Sequence, residues 1–126
     1  MRENRSKENY LKTIYILSRK KEVRSYHIAD EMGFSRPSVC NALKELEKDG
    51  LVYTEDDHVI KLTEKGFSLA RDTYECNQIF RNLLLQLGVS EENACQDACE
   101  VEHLLSNETV HALKMWSVKN KLSHFT

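Results

Sequence analysis

Within Asp97-Ala-Cys-Glu-Val-Glu-His103, a thiol, a carboxylate and an imidazole are spaced to share one helical face, because Glu102 follows Cys99 by three residues and His103 by four. At 3.6 residues per turn the three side chains fan over roughly a quarter of the helix circumference. Thiolate, carboxylate and imidazole are the protein groups that ligate borderline transition metals. The triplet is therefore competent as part of a metal site, with at least one further donor required from elsewhere in the chain. The plain alternative is a small Cys packed as a hydrophobe beside a surface Glu-His pair. The segments that precede the triplet favour the metal.

At 126 residues the chain holds one core, with room for a smaller appended segment. It is 40% hydrophobic and 30% charged, and no apolar stretch approaches the roughly 18 residues that suggest a membrane span. The polar run Arg2-Glu-Asn-Arg-Ser-Lys-Glu-Asn9 carries no export signature, so the expected location is the cytoplasm. In that reducing compartment Cys40, Cys76, Cys95 and Cys99 read as thiols, packed or metal-bound, and not as disulfides. Net charge is -2, with 13 basic against 12 acidic residues in 1–70 and 5 against 8 in 71–126. A DNA-facing surface must then be a local patch in the first half.

The elements follow from periodicity and punctuation. Tyr10, Leu11, Ile14, Tyr15 and Leu17 recur at helical spacing in an uninterrupted stretch from Ser6 to Lys21. A short helical pattern, Tyr26 to Met32, ends at Gly33; a second restarts with Ser35 or Arg36 as cap and Pro37 in its first turn, and runs to Lys48 before Gly50. Val39, Leu43 and Leu46 form its apolar stripe, leaving Arg36, Ser38, Asn41, Lys44, Glu45 and Lys48 toward solvent. The β-prone runs Leu51–Thr54 and Val59–Leu62 flank Glu55-Asp56-Asp57-His58, a hairpin with a four-residue turn. Thr63 can cap the next helix, expected to reach about Leu87, although Gly66 weakens its start. Ser90 opens the helix carrying the triplet, expected to end near Ser106, and Asn107 opens a last helix with Val110, Leu113 and Trp116 on its apolar side. Residues 1 to 5 and 120 to 126 are expected to fray.

A helix-turn-helix followed by a hairpin is a winged helix, in which the second helix presents its N-terminal residues to base edges in the major groove. Here those residues are Ser35, Arg36, Pro37, Ser38 and Asn41, with Lys44 among the cations placed for phosphate. Lys12, Lys20, Lys21 and Arg24 are further phosphate candidates, and each taken singly reads equally as a solvated polar residue. The wing tip Glu55-Asp56-Asp57 is acidic, which predicts a wing held off the duplex.

With Asn9-Tyr-Leu-Lys-Thr-Ile-Tyr15, Ile28-Ala-Asp-Glu-Met32, Ser35-Arg-Pro-Ser-Val39, Leu46-Glu-Lys-Asp-Gly-Leu-Val52, Leu62-Thr-Glu-Lys-Gly66 and Glu100-Val-Glu-His-Leu-Leu-Ser106 in this order, the chain resembles the DtxR/MntR family of metal-dependent transcriptional repressors over nearly its full length. The resemblance implies a mainly α fold: an N-terminal winged helix-turn-helix with a small β-hairpin wing over 1–70, then an all-α metal-binding and dimerisation domain over 71–126. It implies a homodimer on a palindromic operator, gated by a divalent metal, in the two-domain form of the family. Cys99, Glu102 and His103 fall on the family's metal-binding helix, Cys99 standing where iron-type members have Cys and manganese-type members Glu. A thiolate favours Fe(II), with Zn(II), Co(II) or Mn(II) also accommodated. The first-helix ligand position falls on Asn9, a neutral amide; Lys12 occupies a position often acidic in manganese-type members and opposes a second metal. The family's His after the wing falls on Cys76 and the Glu four residues beyond it on Phe80. Cys76 either joins Cys99, Glu102 and His103 as a second thiolate or packs at a helix contact, and Cys95 reads as a core residue or one that backs the ligands.

Two other functions compete. A regulator with lost or altered metal response would act constitutively or through thiol oxidation, as Asn9, Lys12, Cys76 and Phe80 suggest. An enzyme would use the Cys-Glu-His face as a catalytic centre, but the chain supplies no Gly-rich substrate loop or second carboxylate placed as a base, and the winged helix would be unexplained.

Overall fold

The computed structural model describes residues 5–120, which form six α-helices and one two-stranded sheet. Two compact units result, one spanning Ser6–Arg71 and the other taking up the chain from Asp72. The first is the winged helix: α1 (Arg5–Ser18), α2 (Ser25–Met32), α3 (Arg36–Lys48), β1 (Val52–Thr54), β2 (Ile60–Leu62) and the first turns of α4 (Glu64–Gln86). The remainder of α4, with α5 (Glu91–Val101) and α6 (Asn107–Asn120), makes the all-α unit. No described helix is long and apolar enough to cross a membrane. Of the ends expected to fray, Arg5 and Asn120 are helical and the rest lie outside the described residues.

One core serves the first unit. Leu11 and Ile14 from α1, Ile28 from α2, Val39 and Leu46 from α3, Val52 and Ile60 from the strands and Ala70 from α4 are all buried in it. Each large aliphatic chain so buried contributes roughly 1.5–3 kcal/mol, and their sources explain why the helices and the hairpin fold as one body. Leu43 completes the apolar stripe of α3 as a half-buried neighbour of this core.

Local capping sets the helix ends. His27 Nδ1 accepts the Arg24 N–H at 2.9 Å, the part of a capping box that Glu or Gln ordinarily plays. Ser35 caps α3, its hydroxyl accepting from Ser38 N at 3.3 Å, and Pro37 lies in the first turn. At the other end Gly50 has φ 74°, with Gly50 N bonded to Glu47 O and Leu51 N to Leu46 O, a Schellman close that turns the chain into β1.

The antiparallel register pairs Val52 with Leu62, Tyr53 with Lys61 and Thr54 with Ile60. Between the strands Asp56–His58 form a 3-10 turn in which Asp57 and His58 both have positive φ. Val23 adds a bridge to Ile60, whose N–H donates to Val23 O at 2.7 Å, so the chain before α2 lies alongside the wing.

Three expectations change. The triplet helix α5 ends at Val101 and not near Ser106, leaving Glu102 as its cap and His103 in the following turn. On α6, Val110 is buried and Leu113 half-buried as expected, but Trp116 is 42% exposed and Ser117 takes the inward place, because four residues separate Leu113 from Ser117. Gly66 strengthens the start of α4: a Cβ there would stand 1.9 Å from Leu51 O, so only Gly permits this approach of helix to hairpin.

Candidate functional site

Two sets of residues carry the chemistry, one in each unit. On α3, Ser35, Arg36, Pro37, Ser38, Asn41 and Lys44 are all at least partly exposed. Ser35 caps this helix and Arg36 to Asn41 lie along its N-terminal half, the part that a helix-turn-helix offers to base edges, while Lys44 lies beyond the midpoint. The Arg36 guanidinium sits 5.8 Å over the Tyr26 ring, a contact from α2 that limits its freedom while leaving its donors outward. Ser35 is committed to capping, since its hydroxyl also donates to Ser38 Oγ at 2.9 Å. Arg24, one of the phosphate candidates, donates from Nε to the Asp57 carbonyl oxygen at 3.1 Å and so holds the acidic wing tip.

In the all-α unit the triplet is shaped by the early end of α5. Glu102 retains helical backbone angles and its N–H donates to Ala98 O, while Leu104 N closes a turn to Val101 O. Adjacent residues on a regular helix point about 100° apart. Here the turn brings Glu102 Oε1 to 3.2 Å from His103 Nε2. Both side chains are withdrawn from solvent, Glu102 at 0% and His103 at 2% exposure. Cys99 is half-buried one turn earlier, and its sulfur accepts a hydrogen bond from Asn77 Nδ2 on α4 at 3.4 Å.

Cys76 is buried, Cys40 and Cys95 are exposed, and all four cysteines are free thiols. Cys95 is thus neither core nor backing for the ligands; it lies one turn before Cys99 but rotated to the solvent side. Asn9 stands half-buried on α1 in the other unit, where its backbone carbonyl oxygen accepts from the Thr13 hydroxyl. Sequence reasoning passed over Asn77. The available signal was an amide beside Cys76 in the middle of a helical pattern, where Asn is a weak helix former and needs a partner.

Donor type and spacing decide whether these residues suit a divalent ion. Two ligands on one ion with bonds of about 2.1 Å stand about 3.0 Å apart in an octahedral shell and about 3.4 Å apart in a tetrahedral one. The 3.2 Å between Glu102 Oε1 and His103 Nε2 falls in that interval. The same separation is that of a direct Glu102–His103 ion pair, so what fits a metal here is the donor chemistry and the burial. Among the described residues no three His, Cys, Asp or Glu side chains are grouped closely enough to hold an ion.

Residues 4–67 match the model of the iron dependent repressor N-terminal DNA binding domain, and residues 63–117 match that family's metal binding and dimerisation domain. The chain belongs to the iron-dependent repressor family. Within it, the transcriptional regulator MntR of Escherichia coli O6:H1 is 38% identical over 99 residues, covering 79% of this chain and 64% of that one. An HTH-type transcriptional regulator of Methanocaldococcus jannaschii is 31% identical over 121 residues, covering 94% of this chain and 97% of that protein. Among solved structures the manganese regulator SloR superposes with a TM-score of 0.73 at 31% identity, over 87% of this chain and 52% of SloR. The chain therefore spans about two thirds of the Escherichia coli relative and about half of SloR. The exposed face of α3 falls within the matched DNA-binding domain, and the buried Glu102–His103 pair within the matched metal-binding and dimerisation domain.

Proposed function

We propose that this chain is a metal-dependent transcriptional repressor that acts as a homodimer on a palindromic operator and responds to Fe(II) in preference to Mn(II). The observation that carries the reading is the burial of Glu102 and His103, two metal-ligating groups, within the segment that matches the family's metal binding and dimerisation domain. Cys99 supplies the third donor, and its thiolate is the reason to favour Fe(II), with Zn(II) and Co(II) suited to the same set. Cys76 and Asn9 are the remaining ligand candidates. Glu102, Cys99 and His103 would hold the ion, whose positive charge would offset the buried Glu102 carboxylate and the half-buried Cys99 thiolate. Ser35 holds the start of α3 by its cap, Arg36, Ser38 and Asn41 read base edges, Pro37 fixes the first turn, and Lys44 meets phosphate. By linkage, metal and DNA must raise each other's affinity by the same factor.

Anaerobic fluorescence anisotropy on promoter-region DNA tests this, with chelator and then with Fe(II), Mn(II), Zn(II) or Co(II), for the wild type and His103→Ala. Binding that requires metal and is lost in His103→Ala is expected, with Fe(II) effective at the lowest free concentration.

A second reading, a regulator with altered metal response that acts constitutively or through its thiols, is favoured by the lack of a three-donor group among the described residues and by Lys12 near Asn9 on α1. Equally tight, sequence-specific binding in chelator and in His103→Ala would select it.

A further inference from the structure

Tyr26 in the first turn of α2 and Arg36 at the start of α3 meet through their side chains. The Arg36 guanidinium carbon lies 5.8 Å from the Tyr26 ring centroid, inside the roughly 6 Å at which a ring face attracts a cation. Both side chains stand at the surface, so burial does not hold them. The ring has its own support. It lies 4.2 Å, centroid to centroid, from the His27 imidazole, which is itself fixed because Nδ1 accepts the Arg24 N–H at 2.9 Å. Among the described residues no carboxylate pairs with Arg36, so the ring is what steadies its head. A guanidinium attracted through its face keeps its in-plane N–H donors free. The ring contact and a bidentate hydrogen bond to a base edge therefore do not compete.

We propose that Tyr26 is the positioning residue of Arg36: its ring holds the guanidinium at the start of α3, so that a residue of α2 sets how sharply the base pair beneath Arg36 is discriminated. This rests on the reading above in which Arg36 meets a base edge, and it depends on no particular metal. A long side chain that is free in solution loses rotamer freedom when it docks on a base, and one already held loses less. Holding also acts against the wrong base. A free guanidinium can swing to a phosphate when its base pair is replaced and recover much of the lost contact, whereas a held one is left facing an edge it does not fit. Tyr26 thereby acts on specificity where Arg36 reads and little on the general attraction to phosphate.

Selection from duplexes with randomised base pairs tests this, made anaerobically on the full chain with Fe(II), with Mn(II) and with chelator. The proteins compared are wild type, Arg36→Ala, Tyr26→Phe, Tyr26→Leu and the double variant Tyr26→Leu/Arg36→Ala. Positions whose preference flattens in Arg36→Ala are those that Arg36 reads. There, Tyr26→Leu is expected to lose discrimination by about two- to fivefold, the worth of a cation held on an exposed ring, while the other positions keep their wild-type preference. Tyr26→Phe keeps the ring face and is expected to match wild type, and the double variant to match Arg36→Ala. If Tyr26→Leu does not fold, Tyr26→Met takes its place. Wild-type preference in Tyr26→Leu, sharper preference, or a weakening spread evenly over all positions overturns the positioning role and leaves base reading by Arg36 standing. An Arg36→Ala profile equal to wild type overturns base reading by Arg36 and the proposal with it. A wild type that selects no sequence in any of the three conditions overturns the repressor reading as well.

Discussion

Gly66 passes so close to the Leu51 carbonyl that an added Cβ would lie 1.9 Å from its oxygen. Around this approach the Thr63 hydroxyl donates to Gly50 O at 2.7 Å and accepts from Gly66 N at 3.1 Å. One side chain thus caps α4 and ties it to the end of α3. Gly66→Ala forces backbone apart and is expected to lower stability by about 1–3 kcal/mol, and Thr63→Val by about 1 kcal/mol through loss of the cap. Urea unfolding of both variants checks the order.

In the metal-binding part, Glu102→Gln keeps the shape of the side chain but removes its charge. Metal affinity is expected to fall by at least tenfold, the scale of even indirect changes to a site, and to fall also as pH is lowered, because the ligands must be deprotonated to bind. Competitive titration with a chelator at pH 6 and pH 8 measures both effects. Affinity that is equal in Glu102→Gln and wild type would exclude Glu102 as a ligand.

Lys114 on α6 reaches back to α4, pairing with Asp72 and, at 2.9 Å, with Glu75. Burial by itself opposes the charged ammonium, but hydrogen bonds to the two carboxylates outweigh it and hold the Lys114 pKa above the ordinary 10.5. A raised lysine pKa contributes stability that is fully present below the unfolded value and lost as pH rises through the folded one. Lys114→Ala is therefore expected to destabilise by about 1 kcal/mol after allowance for solvent screening, constant from pH 7 to pH 10 and vanishing above. Urea midpoints across pH 7–11 for both proteins report the difference.

On DNA, Arg36→Ala and Asn41→Ala are expected to lose about 1–3 kcal/mol of discrimination each. Lys44→Ala should weaken binding to all sequences alike and reduce the salt slope by about one. Anisotropy at several salt concentrations, on operator and on scrambled DNA, separates the two behaviours. The acidic wing tip held by Arg24 predicts that Asp56→Asn tightens binding only slightly.

The thiols are graded by burial. In chelator, alkylation followed by peptide mass spectrometry should label Cys40 and Cys95 first, Cys99 more slowly, and Cys76 only on unfolding. Protection of Cys99 by added metal, with Cys40 and Cys95 unaffected, would mark it as a ligand.

The sequence by itself determined the order of elements, the winged helix with its mixed core, and which face of α3 is exposed. These follow from periodicity, from Ser35 and Pro37 at a helix start and from Gly33 and Gly50 at helix ends, all of which act within a few residues. The Cys99, Glu102 and His103 triplet was equally legible as a set of donor types. What only the tertiary structure decided depends on partners distant in the chain. Gly66 looks like a weak point in its own helix and is required by Leu51 fifteen residues earlier. Trp116 fits an apolar stripe by spacing, yet packing turns Ser117 inward. Asn77 and Cys99 are 22 residues apart and meet because α4 lies against α5. Glu102 and His103 were legible as sharing a face with Cys99, but their 3.2 Å contact, formed just past the end of α5 at Val101 with both side chains buried, was not. Local spacing specifies which donors a chain owns; the folding of helices on one another sets which of them face each other away from water.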